Sequence, residues 1–552
     1  MKHLKATLLL LVLAAAVAGA QEALKSVEEE YYDFLALCGI VARPTLNYRT
    51  LSDSEWQIPD GAEHPWQGNN LGAKRVLWQS KNDSEGNFFT RGIEQSVALK
   101  IYGPEWYNSY NTSSPYGQND GALWQGKGYN TSLTGGARLE AYGFELTFKP
   151  QVSFSQNKDF DYIQPNYSSG KAATYGYYGL ASVDAPQRFG DSSFWTFDWG
   201  DSEVRYSWHT LTVGFGTQAI WLGPARLNPI LHSNNAASYP KVDIGLRKTQ
   251  MHMPHFGWYL GKIEVRGWWG MLTESDYFDD DDSNDNNLIA GFALAWNLPG
   301  ILDGLTIGVN RTMLSKWNDK DAYTMLEIYG FSNFSSGEDD ESDQRVSLTF
   351  DYVLPEVGFE LYLEWARNDY SPEFNYYLRY PFHTEAWTLG GRKAFNLSPS
   401  LKMEILAEVT FLHASDDYYE VISWDTTFYA HDKITQGYTN RGQWLGAGIG
   451  TGGDSQYLGV KFYYPKGSTN VFVQRVNPDL DYTFFMDLDS PSVETNIRVQ
   501  ISGGIEQEYF VSKSLRLKGA FVYIYELNPL NDKPAEGARN NFNFQFAAKY
   551  NF

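Results

Sequence analysis

The chain closes on NNFNFQFAAKYNF, residues 540–552, where apolar and polar side chains alternate. Because every second side chain of a strand shares a face, one face here is apolar and the other is mainly amide and lysine. The apolar face would carry Phe542, Phe544, Phe546, Ala548, Tyr550 and Phe552. An aromatic edge strand promotes aggregation of a soluble protein, whereas a closed barrel turns the aromatic face to lipid and the polar face to the lumen. The ending therefore predicts a transmembrane β-barrel.

The same alternation recurs through the chain. In residues 401–411, apolar side chains alternate with Lys402, Glu404 and Glu408, which suits a strand between lipid and a water-filled lumen. Short turns are expected at 298–302, 354–357, 396–399, 464–467 and 511–514, and long polar loops at 273–286, 413–454, 477–493 and 527–539. Short turns alternating with long loops are typical of outer-membrane barrels. Pairing the segments back to about residue 93 predicts one all-β, antiparallel transmembrane barrel of about 18 strands.

The N-terminus has the pattern of a cleavable secretory signal peptide. Lys2 and Lys5 precede an apolar run at 8–17, and Ala18-Gly19-Ala20 forms an A-x-A cleavage site. The predicted organisation is a signal peptide at 1–20, a periplasmic N-terminal helical segment at 21–90 and an outer-membrane β-barrel at 91–552.

Apolar residues at helical spacing predict a short amphipathic helix at 22–38, with Gly39 placed to end it. Two positions are open for this helix, one on the periplasmic rim and one inside the lumen as a plug. Cys38 lies on its apolar face and is expected to pack rather than to react. As the single cysteine in 552 residues, it excludes an internal disulfide.

Composition and motifs narrow the classes of function. The formal net charge is −22, and removal of residues 1–20, with two lysines and no acid, makes it −24, so nucleic acid is not an expected partner. The sequence contains neither G-x-S-x-G nor H-E-x-x-H, so we expect no enzyme activity, no cofactor and no metal site. The aspartates of residues 276–285 are expected to form a solvated acidic loop, with loose Ca²⁺ binding as the alternative.

Several stretches resemble the Wzi capsule-assembly family. The main one is VGFGTQAIWLGPARLNPILHSNNAASYP, residues 213–240, and three others are similar to further motifs of that family: DAPQRFG at 184–190, YTNRGQWLG at 438–446 and the segment from Tyr31 to Arg49. The resemblance implies a single barrel with helices near its periplasmic mouth and a lectin-like outer surface. It predicts an outer-membrane, cell-surface protein that binds and retains capsular or extracellular polysaccharide and takes part in capsule assembly.

Two of these stretches supply the predicted polysaccharide-binding residues. Aromatic rings stack on sugars, and amide or guanidinium groups bond to hydroxyls and carboxylates. The first loop offers Trp221, Arg226, Asn228, His232, Asn234 and Asn235, and the second offers Tyr438, Arg441 and Trp444. In the alternative interpretation, Gly223-Pro224 is only a turn, the asparagines satisfy loop backbone, and the glycines after Arg441 allow a tightly folded loop.

A diffusion porin is the competing function. Four glutamates, Glu360, Glu364, Glu404 and Glu408, are predicted to point inward and would line a cation-preferring path. Either function places the protein in outer-membrane lipid. A terminal Phe552 on an aromatic strand is also similar to the signal that outer-membrane barrels present to the barrel-assembly machinery, which is a second expected partner.

Overall fold

The structure is a computed structural model of the chain. It describes residues 26–49, 56–69, 71, 76–81, 96–165, 170–178, 183–279, 281–319, 328, 342–368, 374–379, 382, 384–414, 428–487, 497–532 and 535–551. The predicted signal peptide, the first residues of the predicted helix (22–25), Asp280 and Phe552 lie outside these ranges.

Strands dominate the described chain. In chain order they are β1 (Tyr48–Arg49), β2 (Trp78–Lys81), β3 (Ser96–Asn111), β4 (Gly128–Ala141), β5 (Phe144–Phe148), β6 (Gln151–Ser155), β7 (Phe194–Asp198), β8 (Glu203–Trp208), β9 (Leu211–Gly216), β10 (Trp221–Leu222), β11 (Lys241–His252), β12 (Tyr259–Thr273) and β13 (Asn286–Asn297). They continue with β14 (Leu305–Lys316), β15 (Asp343–Leu354), β16 (Phe359–Asn368), β17 (Glu385–Ser398), β18 (Leu401–Phe411), β19 (Thr439–Asn440), β20 (Gln443–Trp444), β21 (Asp454–Tyr464), β22 (Gly467–Asn477), β23 (Val499–Phe510), β24 (Leu515–Leu527) and β25 (Ala538–Tyr550).

Helices are short and few among the described residues. They are α1 (Val27–Leu37), α2 (Ala172–Tyr175), α3 (Phe374–Arg379) and α4 (Leu480–Asp487), with 3-10 turns at Gly300–Leu302 and Trp317–Asp319. In this part of the chain, none of them has the length and apolarity needed to cross a bilayer.

The described strands close into one antiparallel barrel. Counting β5–β6 and β7–β8 as two interrupted strands, the described wall has 18 strands, as predicted, and β2 adds a short pairing to β3. The closing seam joins β25 to β3, from Asn543 opposite Asn111 to Lys549 opposite Glu105. The last strand has the predicted faces, because Phe542 and Phe544 are exposed on the outside while Asn541 and Asn543 are buried toward the lumen.

The connections alternate as expected. In the described chain, one end of the barrel has short turns, at 142–143, 209–210, 253–258, 298–304, 355–358, 399–400, 465–466 and 511–514, and the other end has the long loops. The short-turn end also receives the C-terminal end of β25, which identifies it as the periplasmic end of an outer-membrane-type barrel.

Helix α1 lies inside the lumen near the short turns. Ser26 caps its N-terminus, with its Oγ accepting a hydrogen bond from Glu29 N at 3.1 Å, and Gly39 follows its end at φ 73°. A rim helix would expose one face, but Tyr31, Phe34 and Leu37 are fully buried, and three of the four acids of the helix, Glu28, Glu29 and Asp33, are buried too. The predicted helix is therefore confirmed, and of its two possible positions the structure has the plug.

The apolar core around α1 joins the helix to the wall. Phe34 stacks on Tyr463 of β21 with ring centroids 4.3 Å apart, and Trp66 packs edge-on against Phe510 of β23 at 5.0 Å. Trp66 Nε1 also donates to Gly467 O at 2.9 Å. Cys38 packs at the edge of this core, as predicted. We call residues 26–49 the N-terminal plug.

Candidate functional site

Residues 217–240, the first predicted loop, fold into the barrel from the long-loop end; we call them the inward loop. Its strand β10 pairs with β1 of the N-terminal plug, Tyr48 opposite Leu222 and Arg49 opposite Trp221. Trp221 is 1 % exposed, its indole Nε1 donates to Ala225 O at 2.9 Å, and the Arg49 guanidinium lies 5.2 Å from its ring centroid. Trp221 therefore has internal partners on both its ring and its polar atom.

Wall glutamates bind the backbone of the inward loop. Glu408 of β18 accepts from the amides of Arg226 at 2.6 Å, Leu227 at 3.0 Å and Asn228 at 2.9 Å. Glu364 of β16 accepts from Ile230 N at 2.9 Å. These two carboxylates point inward as predicted, but they are buried and bind the loop instead of facing an aqueous path.

The other two predicted glutamates belong to a buried ion cluster. Arg226 Nη1 and Nη2 lie 2.7 Å from Asp33 and from Glu360, respectively. Arg392 pairs with Asp33, with Glu360 at 2.8 Å and with Glu404 at 2.5 Å. A third guanidinium, that of Arg43, lies 2.7 Å from Asp33, 2.8 Å from Asp351 and 2.8 Å from Glu360.

Asp33 is the acid of the N-terminal plug in this cluster. Burial alone would raise its pKa, but the charges of Arg226, Arg43 and Arg392 outweigh burial and hold the pKa well below its usual value. The carboxylate thus stays ionised, and the cluster fastens plug, inward loop and wall to one another.

His232 and its neighbours are also held internally. His232 Nε2 lies 2.7 Å from the Tyr239 hydroxyl, and burial together with the nearby Lys241 charge lowers the pKa of His232 to about 3, so the ring is neutral. Asn234 is half-buried, and its backbone carbonyl oxygen accepts a hydrogen bond from Gly121 N at 2.9 Å. Asn235 Nδ2 donates to Trp444 O at 3.1 Å, which joins the inward loop to the second predicted loop.

The second loop, residues 428–453, packs on the first. Tyr438 is fully buried, its hydroxyl donates to Thr312 Oγ1 at 2.9 Å, and Arg345 lies 4.3 Å from its ring centroid. Arg441, at φ 50°, keeps 46 % of its side chain exposed. Trp444 is half-buried. The structure therefore brings the two predicted loops together, but it leaves only part of the predicted set accessible.

A cavity of about 630 Å³ remains between these loops and strands β21–β25. It extends from Glu30 and Asp33 of the N-terminal plug to described residues of the outer loops that follow β6, β22 and β24. Of the predicted residues, its lining contains Trp221, Arg226, Asn235 and Trp444. The lumen is thus filled on one side and hollow on the other.

An aromatic cluster bounds the outer part of this cavity. Tyr177 and Tyr178 stack with centroids 4.5 Å apart, Tyr178 meets Tyr482 edge-on at 4.9 Å, and Tyr177 meets Trp444 edge-on at 5.6 Å. Three of these four residues, the tyrosines, were missed at the sequence level. A signal existed in YGYYG at 175–179, where glycines flank tyrosines within a long outer loop.

Asp479 is hydrogen-bonded to the aromatic cluster. The Tyr177 hydroxyl donates to its carboxylate, and burial with the nearby Asp481 charge raises the pKa of Asp479 to about 7. The charge of the lining differs from that of the whole chain, because its described residues carry equal numbers of bases and acids. The bases are Arg49, Arg226, Arg392, Lys461, Arg498, Lys518 and Arg539, and the acids are Glu29, Glu30, Asp33, Asp120, Glu404, Glu506 and Glu526.

The acidic loop after β12 is held by its own hydrogen bonds. Asp279 accepts from Asp281 N at 2.9 Å and from Asn284 Nδ2 at 3.1 Å, and Asn284 Nδ2 lies 3.2 Å from Thr435 Oγ1 of the second loop. Within the described residues, no three His, Cys, Asp or Glu side chains are placed to hold a metal ion. The prediction of a solvated acidic loop, with loose Ca²⁺ binding as the alternative, stays a prediction.

The family model for the capsule assembly protein Wzi matches residues 111–505 of the chain. The chain belongs to the Wzi family. The match spans both predicted loops, the tyrosine-rich loop and most of the wall, whereas the N-terminal plug and strands β2, β24 and β25 lie outside the matched residues.

A solved structure supports the fold. The Escherichia coli protein described as Wzi, an outer membrane protein involved in group 1 capsule assembly and a carbohydrate-binding β-barrel, is similar at 12% identity and a TM-score of 0.53, covering 82% of this chain and 85% of that one. Pseudomonas putida OprB (10% identity, TM-score 0.35, 82% and 94% covered) and a BenF-like porin from Pseudomonas fluorescens (9%, 0.37, 83% and 99%) are less similar. No curated protein sequence matches.

Proposed function

We propose that this Wzi-family barrel lies in the outer membrane and binds and retains capsular or extracellular polysaccharide at the cell surface. The observation that supports this most directly is the cavity of about 630 Å³, whose outer part is lined by Tyr177, Tyr178 and Trp444, with Tyr482 packed against Tyr178. Flat aromatic faces beside amide and charged groups are what sugar rings and their hydroxyls require. The volume lies within the range of ligand pockets and suits a short stretch of a polymer.

The binding role is proposed for the accessible residues first. Trp444 lines the cavity and is half-buried, and Arg441, the predicted cation of the second loop, keeps 46 % of its side chain exposed. Asn235 also lines the cavity, but it is buried and its amide bonds to Trp444 O and to Asn119 N. We assign Trp221, Asn228, His232 and Tyr438 to holding the loops in shape, because their polar atoms bond within the protein. Arg226 lines the cavity but is engaged by Asp33 and Glu360, and Asn234 lies at the contact with Gly121.

A diffusion porin is the less favoured function. The four glutamates that would line its path bind the inward loop or the arginines of the ion cluster. The N-terminal plug and residues 56–69 lie across the lumen at the short-turn end. A plugged barrel with an outer cavity favours binding of polysaccharide over diffusion of solutes through the lumen. We also propose that the protein binds polysaccharide without catalysing a reaction.

The remaining partners follow from the barrel's surface. Alternating outward side chains such as Phe544, Val473 and Leu361 are exposed, which suits contact with outer-membrane lipid. The aromatic last strand is the segment we propose for recognition by the barrel-assembly machinery. A signal peptide at 1–20, a helical segment at 21–90 and a barrel at 91–552 remain the proposed division of the chain.

The proposal is tested on cells and on purified protein. Cells lacking the protein should retain less surface polysaccharide than the parent, and complementation should restore it. Trp444→Ala with Arg441→Ala should weaken binding of the purified surface polysaccharide of the source cells. The matched control is Lys433→Ala, which removes another exposed cation of the same loop. Heat-modifiable migration checks the barrel, and unchanged retention and binding would refute the proposal.

A further inference from the structure

Two arginines lie side by side on the lumen face beside the aromatic cluster. Arg539 of β25 is directly opposite Glu526 of β24. Gln500 of β23 is opposite Glu526 from the other side, and Arg498 is two residues before Gln500, on the same face of the chain. All three charged residues line the cavity near its outer end. We call Arg498 and Arg539 the arginine pair.

Both guanidiniums bind the same carboxylate. Arg498 Nε and Nη2 lie 2.9 and 2.6 Å from Glu526 Oε1, and Arg539 Nε and Nη2 lie 2.9 and 2.7 Å from Oε2. Arg539 Nη1 donates to Asp161 O at 2.8 Å. For Arg498 Nη1, the described residues provide no hydrogen-bond acceptor. Two positive charges therefore share the Glu526 carboxylate, the Asp479 carboxyl also lies near Arg498, and one donor group of Arg498 remains for a ligand.

The nearby lysines of the cavity have no such excess of positive over negative charge. Lys461 pairs with Glu30 at 2.7 Å, and Lys518 pairs with Glu506 at 3.5 Å, one cation to one acid in each case. Because the chain carries a net charge of −22, its long-range field repels anions, and a local excess of positive charge is needed to hold one. The arginine pair supplies such an excess beside a surface that suits sugar rings.

We infer that the arginine pair is a subsite for the carboxylate of an acidic sugar residue, given the polysaccharide site proposed above. A guanidinium matches a carboxylate with two parallel N–H donors, which an ammonium group does not. Tyr178 lies near Arg498. Burial raises the pKa of the Tyr178 hydroxyl, and the positive charge of Arg498 offsets part of that rise. The ring of the bound sugar would pack near Tyr178 while its carboxylate displaces part of the shared contact with Glu526.

The test uses oligogalacturonate and its methyl ester as probes, with the mature, full-length protein in detergent. The two probes have the same rings, but esterification removes the charge. The wild type should bind the acid at least about tenfold more tightly than the ester at low salt, as expected for a charge-assisted contact, and added salt should reduce the difference. Equal affinity for both probes, or binding of neither, would overturn the subsite.

Two variants with opposite expected effects separate a ligand contact from a structural role. Arg498→Gln with Arg539→Gln should lose the preference for the acid, to within about twofold of the ester. Glu526→Gln leaves both cations and removes their competitor, so binding of the acid should become tighter. A role in folding alone would weaken binding in both variants, and that result would also overturn the subsite.

Failure of the subsite and failure of the proposed function are distinguishable. Surface polysaccharide of the source cells that binds the wild type and both variants equally would overturn the arginine subsite while supporting the polysaccharide site. Loss of binding to that polysaccharide in Trp444→Ala, with the acid preference still present, would place the ring contact and the carboxylate contact on separate residues and support both.

Discussion

Replacing Asp33 by Asn should release the N-terminal plug. Asp33 accepts from Arg43 Nε at 2.7 Å, lies 2.7 Å from Arg226 and also pairs with Arg392, and its side chain is 5 % exposed. Removing one partner of a buried ion pair costs about 3–5 kcal/mol, because the remaining charges stay buried without compensation. The undocked population of the plug should therefore rise by roughly two to three and a half powers of ten.

The assay is limited proteolysis of residues 26–49 in the detergent-solubilised barrel, together with conductance in planar bilayers. Glu30→Gln is the matched control, because it makes the same chemical change on the same helix. Glu30 is 38 % exposed and pairs with Lys461, and a pair of this kind contributes only about 0–1 kcal/mol. Equal cleavage rates and equal conductance in the two variants would show that the cluster does not fasten the plug.

The wild-type plug should also resist acid. A carboxyl whose folded pKa is depressed contributes stability above its unfolded pKa and loses it only as the pH falls through the folded value. Because the pKa of Asp33 is held well below its usual value, cleavage of residues 26–49 should not change between pH 8 and about pH 4. A rise in cleavage across that range would contradict the assignment of Asp33.

Two further predictions concern the loops. Glu408→Ala should leave three amides of residues 226–228 without their acceptor, at about 1–3 kcal/mol for the buried amide of Asn228 and less for the two part-buried ones. Hydrogen exchange there should accelerate while strands β11–β14 exchange as before. The pKa of Asp479 in the folded protein is raised to about 7, so ionisation of Asp479 destabilises the local fold as the pH rises from about 4 to 7. Protection of residues 477–483 from hydrogen exchange, corrected for the intrinsic rate, should therefore fall over that range in the wild type. In Asp479→Asn the protection should not change with pH. Equal exchange in Glu408→Ala and the wild type, or a parallel fall in Asp479→Asn, would count against these two roles.

The barrel was predictable because each strand carries its own signal. The alternation of Phe542, Phe544 and Phe546 with amides is local and fixes which face meets lipid, and the short turns follow from the gaps between such segments. The inward direction of Glu360 and Glu408 followed from the same alternation. Their contacts with the inward loop did not, because Arg226 is 134 positions from Glu360 and 182 from Glu408 in sequence.

The site was only partly predictable for the same reason. A loop rich in Trp, Arg and Asn looks exposed in a sequence, and Trp221, Asn228 and His232 are buried only because the lumen offers carboxylates and hydroxyls at matching positions. The arginine pair required the register of β23, β24 and β25, which no local pattern gives. The tyrosines at 177–178 carried a local signal, but their packing on Tyr482 and Trp444 joins three separate loops.

The ion cluster constrains the order in which the molecule can be assembled. Asp33 and Arg392 are 359 positions apart, so a chain made from its N-terminus presents α1 long before β17 exists to receive it. Until then, the carboxylate has no partner from that strand and must stay hydrated. The contacts that dock the helix on the wall therefore cannot form before β16–β18 are in place, and a variant that cannot complete these strands should leave the plug undocked.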